Sequence, residues 1–430
     1  MDYWPIFSYS GSGVVKISMK RTVIIGLGIS GRSAAAFLLK QKKEVVAVDR
    51  NWEELSKDTK IHVLMDQGME LFPDTKKIDF SSVEMVVLSP GVSPYHPLLQ
   101  EAKKSGIEII GEVELGFRYL TNKAIGITGT NGKTTVTLLV AHILNTAGFS
   151  AKAVGNVGVP LTSYVSGTDI LIVELSSFQL ETLQQKCLDA AVILNITPDH
   201  LDRYPSFNEY AKAKKRIVKA LKKGAPLYTH PFLHMKRGIP YTRVKKMAVL
   251  QPLISGCRLP IGKENALAAY HLTAQFGVKP KEFMDALFTF SPPPHRIEFV
   301  KEINGIFFYN DSKGTNVEAV IHAVKTLQGP IVLIVGGLDK GTSFSPWIQA
   351  FKGKVKRIYA IGIAAQKIVK ALESDFDVIV SKNLEAAVKL AYKDAHPKDQ
   401  VLLSPGCASF DCFRNYEHRG EEFKRFVCQL

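Results

Sequence analysis

Residues 124–148 read AIGITGTNGKTTVTLLVAHILNTAG. A short apolar run enters a glycine-rich turn, Gly129-Thr130-Asn131-Gly132-Lys133-Thr134-Thr135, and leaves it in apolar positions at helical spacing. Strand, glycine turn and helix in that order aim successive backbone N–H groups and a helix N-terminus at one point, an arrangement that surrounds phosphate oxygens. Lys133 can neutralise charge on β- and γ-phosphates, and the Thr134 hydroxyl can ligate Mg²⁺. The spacing departs from G-x-x-x-x-G-K-[ST], because Ile127 stands where the first glycine would be.

Towards the N-terminus, TVIIGLG, EVVAVD, MVVLSPG and GIEIIGE are short apolar runs separated by helical stretches. That alternation predicts a parallel, doubly wound sheet. Gly26, Gly28 and Gly31 form G-x-G-x-x-G after the first run, and Asp49 ends the next. The pattern fits a dinucleotide fold, with a tight turn, close backbone approach to phosphate and an acid for a ribose hydroxyl. Other nucleotides can use the same helix N-terminus.

Towards the C-terminus, DILIVELSS and AAVILNITPD read as two further buried strands, closed by Glu174 and by Asp199-His200. A carboxylate at the C-terminal end of a central strand is where α/β folds gather ligand chemistry, and oxygen donors suit Mg²⁺. His200 could bind a second metal or orient phosphate. Lys214 is one lysine among several in YAKAKKRI. Helices are expected over residues 265–276 and 281–288, then SPPPHR breaks the periodicity and favours an extended linker. A third α/β unit follows with PIVLIVGG, VKRIYAIG and QVLLSPG. The expected organisation is an extension at residues 1–18 and domains at 19–121, 122–293 and 294–430.

With 46 % hydrophobic and 22 % charged residues, the composition is that of a globular protein. No apolar run approaches the roughly 20 residues of a membrane span, and the N-terminus lacks the plan of a signal peptide. Five cysteines without zinc-like pairing fit a reducing compartment, so a cytoplasmic protein is expected. The net charge of +15 is densest between Lys212 and Lys246. No nucleic-acid module accompanies it, so it reads as a solvated face or a field for anionic small substrates.

Two nucleotide-type sites in different units restrict the function. A dehydrogenase uses only the first and a simple ATPase only the second; a ligase acting with ATP on a nucleotide-carrying substrate uses both. The alternatives are an NAD-dependent oxidoreductase and a UDP-sugar sensor without catalysis.

GTNGKTT, ELSSFQLE, NITPDHLDRY, the PHR turn, NDSKGTN and LLSPGCASFDCFRNYEHRG occur in an order that resembles the Mur ligase family, over nearly the whole chain from Met19 onward. ELSSFQLE, SPGCASFD and GLGISGRS most resemble its D-glutamate-adding members. The resemblance implies a three-domain α/β fold, with Rossmann-like N- and C-terminal domains around a central P-loop ATPase domain. It implies addition of D-glutamate to UDP-N-acetylmuramoyl-L-alanine by a monomer, with ATP, two Mg²⁺ ions and K⁺ as a further candidate. By the same resemblance Ile29, Ser30, Asp49, Gly91 and Asn156 match UDP-substrate positions. Lys133, Thr134, Glu174 and His200 match the ATP and metal site, and Asn265, Arg296 and Asp311 match the adenosine end. Lys313, Thr315, Lys340, Ser409, Phe410 and Tyr416 match positions around D-glutamate and the reaction centre. Lys214 matches a lysine that is carbamylated in the family, which would turn it into an oxygen ligand. Two departures stand out: Glu264 replaces the family's usual histidine before Asn265, and the central domain is short between Leu221 and Leu259.

Overall fold

The computed structural model describes residues 20–242 and 261–430. The expected extension at 1–18 lies outside them, as does 243–260 within the short stretch of the central unit.

The N-terminal apolar runs form one parallel sheet, in the order β3-β2-β1-β4-β5. Its strands are β1 (Arg21–Ile25), β2 (Val45–Asp49), β3 (Glu70–Pro73), β4 (Val83–Leu88) and β5 (Glu108–Gly111). The inner strands are buried on both faces, which is why they read as continuous rather than alternating apolar runs. Helix α1 (Ile29–Lys40) follows the glycine turn. The expected strand over GIEIIGE stops at Gly111; Glu112 instead opens helix α2 (Glu112–Arg118).

A second sheet has the order β11-β10-β9-β6-β8-β7. Its strands are β6 (Ala124–Thr128), β7 (Ala151–Gly155), β8 (Ile170–Glu174), β9 (Ala190–Ile193), β10 (Leu227–Thr229) and β11 (Gly238–Pro240). Helix α3 (Lys133–Thr146) buries Val136, Leu139, Val140 and Ile143 in the core it shares with helix α4 (Lys263–Ala274). The opposite face of the sheet holds a second core that includes Val113 and Phe117 of α2.

The third sheet has the order β12-β13-β17-β14-β15-β16. It comprises β12 (Glu298–Ile303), β13 (Ile306–Asn310), β14 (Ile331–Gly336), β15 (Val355–Ile361), β16 (Val378–Val380) and β17 (Gln400–Leu403). Only the β12–β13 hairpin is antiparallel among the described pairs. Helix α5 (Val317–Thr326) is capped by the Asn316 side chain. No helix of the described residues is long and apolar enough to cross a membrane.

The C-terminal ends of β1 and β4, and of β6, β8 and β9, face the clefts between units. Open parallel sheets place ligands there because loops and helix N-termini converge at strand ends.

Candidate functional site

The glycine fingerprint builds the first cavity. Gly26 has φ +89°, and a Cβ on Gly31 would lie 2.0 Å from the Gly26 carbonyl oxygen, so only glycine lets α1 approach β1 this closely. Around Gly28 there is open space. Asp49 does not project freely: its Oδ2 accepts from Leu27 N–H at 2.7 Å and its Oδ1 from Asn51 N–H at 2.8 Å, bracing the loop. Ile29, Ser30, Asp49, Gly91 and Asn156 all line one cavity of about 470 Å³, together with Ser89, Pro160 and Gln179. The five residues expected at a UDP-type site thus share a wall. Asn156 belongs to the central unit, so the cavity is completed from across the cleft.

Asn156 also leads to the second site. Its Nδ2 donates to Glu174 Oε1 at 2.7 Å. Glu174 is 1 % exposed, and its Oε2 is buried with no hydrogen-bond partner. Beside it, the glycine turn wraps as expected: Gly132 has φ +86°, and a Cβ there would sit 2.6 Å from Asn265 Oδ1. Lys133 Nζ donates to the carbonyls of Gly129 and Thr130, each at 2.9 Å. Lys214 is 2 % exposed and donates to the Gly129 carbonyl at 2.8 Å. Burial, reinforced by Lys133, holds the Lys214 amine well below the usual lysine range. Lysine burial without a carboxylate partner favours the free amine, the nucleophilic form. Lys133 is also depressed by burial, against the pull of Glu174 and Asp199.

His200 has φ +55° and packs edge-on against Phe178, with ring centroids 5.1 Å apart. Burial pushes it down to about 4, so its imidazole is neutral near pH 7 and free to act as a ligand. Asp199 is 5 % exposed. Burial alone would raise its carboxyl, but Lys340, His200 and Asn316 hold it below the ordinary value.

A smaller cavity of about 120 Å³ runs from the turn into the C-terminal unit. Asn131, Gly132, Thr135, Asn265, Arg296, Asp311 and Lys313 line it. Burial pushes Asp311 up to about 7, although Ser404 and Arg296 oppose the shift. Lys313 lies 3.6 Å from the centre of the Tyr416 ring, and burial and Arg296 lower it to about 8. Lys340 Nζ donates to Asp199 Oδ1 at 3.2 Å and to Thr315 Oγ1 at 3.4 Å. Ser409 is buried, Phe410 is 70 % exposed, and neither lines the two cavities. Glu264, at the departure before Asn265, pairs with His230 at 3.2 Å.

Comparison with known proteins decides the family. The chain is 48 % identical to the UDP-N-acetylmuramoylalanine–D-glutamate ligase of Protochlamydia amoebophila, over 98 % of this chain and 99 % of that protein. This chain belongs to the Mur ligase family. The family's MurD-like N-terminal domain matches residues 20–111, its middle domain 127–231 and its glutamate ligase domain 295–407. The ligase of the same name from Caldanaerobacter subterraneus is 39 % identical, over 97 % of this chain and all of that protein. Among solved structures, Thermotoga maritima MurC superposes with TM-score 0.55 at 16 % identity, covering 96 % of this chain and 100 % of the other. Thermotoga maritima MurF in complex with ADP gives 0.56 at 13 %, covering 97 % and 100 %. These two likenesses establish the fold.

Among the described residues no three His, Cys, Asp or Glu side chains group to hold a metal. The buried Glu174 Oε2, which has no hydrogen-bond partner, is an oxygen donor of the kind a hard cation takes.

Asn316 carried no weight in the sequence. It exchanges amide hydrogen bonds with Asn131 at 3.0 and 3.3 Å and donates to Asp199 Oδ2 at 3.2 Å. An asparagine before an apolar helical run is a cap signal and Asn316 is a cap, but nothing local marks it as a bridge between units. Tyr210, which shares a hydrogen bond with Thr130 at 3.1 Å, was hidden in the basic helix.

Proposed function

We propose that this chain joins D-glutamate to UDP-N-acetylmuramoyl-L-alanine, converting ATP to ADP and phosphate, in the cytoplasmic stage of peptidoglycan synthesis. The observation that carries this reading is the contact between Asn156, on the wall of the first cavity, and Glu174 beside the phosphate loop. A nucleotide-sugar acid held in the first cavity can present its carboxylate to a phosphate held at the second. The names of the relatives supply the two substrates.

In the proposed assignment, residues 19–121 hold the UDP end, 122–293 hold ATP and 294–430 hold the amino acid. The substrate carboxylate attacks the γ-phosphorus, ADP leaves, and an acyl phosphate remains. The D-glutamate amine then attacks the acyl carbon, loses a proton, and phosphate departs. The difficulty is bringing one anion to another. Lys133 sits where phosphate charge would develop and replaces its present carbonyl partners with phosphate oxygens. Lys313 adds a second positive charge from the C-terminal unit. Asn265, Arg296 and Asp311 hold the nucleoside end, and Lys340 with Thr315 receives a carboxylate of the amino acid. Ser409, Phe410 and Tyr416 complete that side. Glu174, His200, Thr134 and Lys214 as its carbamate would hold Mg²⁺, which when bound would supply charge neutralisation at the phosphates. Closing the C-terminal unit over the others would keep water from the acyl phosphate.

The test is phosphate release with ATP and UDP-N-acetylmuramoyl-L-alanine across a panel of D- and L-amino acids. Release confined to D-glutamate is expected. Release with none, or with an L-amino acid in preference, refutes the proposal.

A further inference from the structure

We propose that Glu112 is a positioning residue for the sugar-nucleotide cavity, acting through a hydroxyl chain, buried at its Thr162 end, that ties α1 to the central unit. The proposal rests on the reading of that cavity given above. Glu112 is 2 % exposed and opens α2, directly after the last strand of the N-terminal sheet. Its Oε1 accepts from the Thr162 backbone N–H at 2.7 Å and from the Thr162 hydroxyl at 2.8 Å. Because that hydroxyl donates to Glu112, its oxygen is free to accept from Ser33 of α1, at 2.7 Å. Ser33 in turn lies 3.0 Å from the Ser163 hydroxyl, which can donate to it. One carboxyl therefore sets the direction of the whole chain, from Ser163 through Ser33 and Thr162.

The two elements that this chain joins both line the cavity. Pro160 lines it and precedes the 3-10 turn Leu161–Ser163 that Glu112 fixes. Ile29 and Ser30 line it from the first turn of α1, the helix that Ser33 anchors. The turn also packs closely on α2, since a Cβ on Gly116 would meet Leu161 at 2.9 Å. The second carboxyl oxygen, Oε2, is buried without a partner. Burial pushes the Glu112 carboxyl up against the pull of the Thr162 hydrogen bonds, which favours its neutral form. Glutamine keeps an Oε1 that can accept both Thr162 hydrogen bonds, so it imitates this role closely. Alanine instead leaves the Thr162 N–H unpaired and releases the turn.

Binding of UDP and of UDP-N-acetylmuramoyl-L-alanine to the full chain can be followed by calorimetry, beside steady-state kinetics. Glu112→Ala is expected to weaken UDP-substrate binding about tenfold, with kcat and the KM for ATP within about twofold of wild type. Glu112→Gln is expected to restore binding to within about threefold. Unchanged binding in Glu112→Ala, a glutamine variant as weak as alanine, or a parallel loss in every kinetic constant each overturns the inference. Should Glu112→Ala not fold, Ser33→Ala reads the same chain from its middle link. A weakening of about threefold supports the inference and unchanged binding overturns it. A wild-type chain that binds neither uridine compound overturns the functional reading and this inference with it, whereas normal wild-type binding with indifferent variants removes the inference alone.

Discussion

The two seams of this molecule are built from different materials. Between the N-terminal and central units, α2 serves both sides: Leu115 packs into the N-terminal core while Val113 and Phe117 pack into the central one. Glu114 is fully buried there, its Oε2 accepting from the Gln184 and Gln185 backbone N–H groups at 2.8 and 3.1 Å and its Oε1 from Arg118 at 3.2 Å. Arg203 adds a hydrogen bond to the Pro90 carbonyl at 3.2 Å while stacking on Phe178. Between the central and C-terminal units, the Asn131–Asn316 amide pair and the Asp199–Lys340 ion pair carry the described contact at the turn. Apolar burial is non-directional and lost only by exposing surface to water, whereas polar pairs exchange readily with water or with a ligand's oxygens. The first seam is therefore suited to hold a fixed distance and the second to open and close.

The comparison can be broken at several points. The largest effect is expected where the seams meet. Lys133→Ala should lower turnover about 10³-fold or more while UDP-substrate affinity, set by the fixed seam, changes little. Equal loss of both, measured by turnover and calorimetry, would make the lysine structural.

Next is the apolar seam itself. Phe117→Ala should cost about 3–5 kcal/mol in urea unfolding, because its ring is buried and the cavity cannot collapse. A separate early transition of the N-terminal unit in wild type would contradict a seam that holds the two units at a fixed distance.

At the polar seam, Asp311 gives a pH-dependent reading. Burial raises its carboxyl from 3.8 to about 7, so between those values the folded chain keeps a proton that the unfolded chain has released. The stabilisation is complete below pH 3.8 and lost as pH rises through 7. Asp311→Asn should accordingly gain stability relative to wild type from pH 4 to pH 8, by up to about 4 kcal/mol in parallel unfolding curves. A constant difference across that range would show that Asp311 does not titrate in the folded state.

The smallest effect is expected from Asn316→Ala: a stability cost of about 1 kcal/mol, a KM for D-glutamate several-fold higher, and a broader small-angle scattering profile without ligands. A cost like that of Phe117→Ala would erase the distinction between the seams.

Much of this was legible in the sequence because local geometry and local chemistry coincide there. Gly31 is required by a close backbone approach and Gly132 by a φ of +86°, so their spacing marks the turns wherever the rest of the chain goes. The apolar runs of β1, β4, β6 and β8 read as buried strands because both faces of each lie in a core. Asn316 and Glu112 were not legible in the same way, and Asp199 was legible only as the acid that closes a strand, not as the partner of Lys340 and Asn316. Each is an ordinary cap, strand-end acid or loop acid by its neighbours, and acquires its partner from a distant segment. Lys214 reads as a surface lysine in a basic helix, and only resemblance singled it out; the fold then buries it against the Gly129 carbonyl.

The sequence alone determined where the chain turns, which runs are buried and which residues can meet a phosphate, because backbone sterics and hydrophobic period act over a few residues. Tertiary structure decided which polar groups share a site, which carboxyl is left without a partner, and which seam is apolar. Those properties depend on burial and on distances between segments far apart in the chain, and a side chain's proton affinity and partners follow from that environment rather than from its neighbours in sequence.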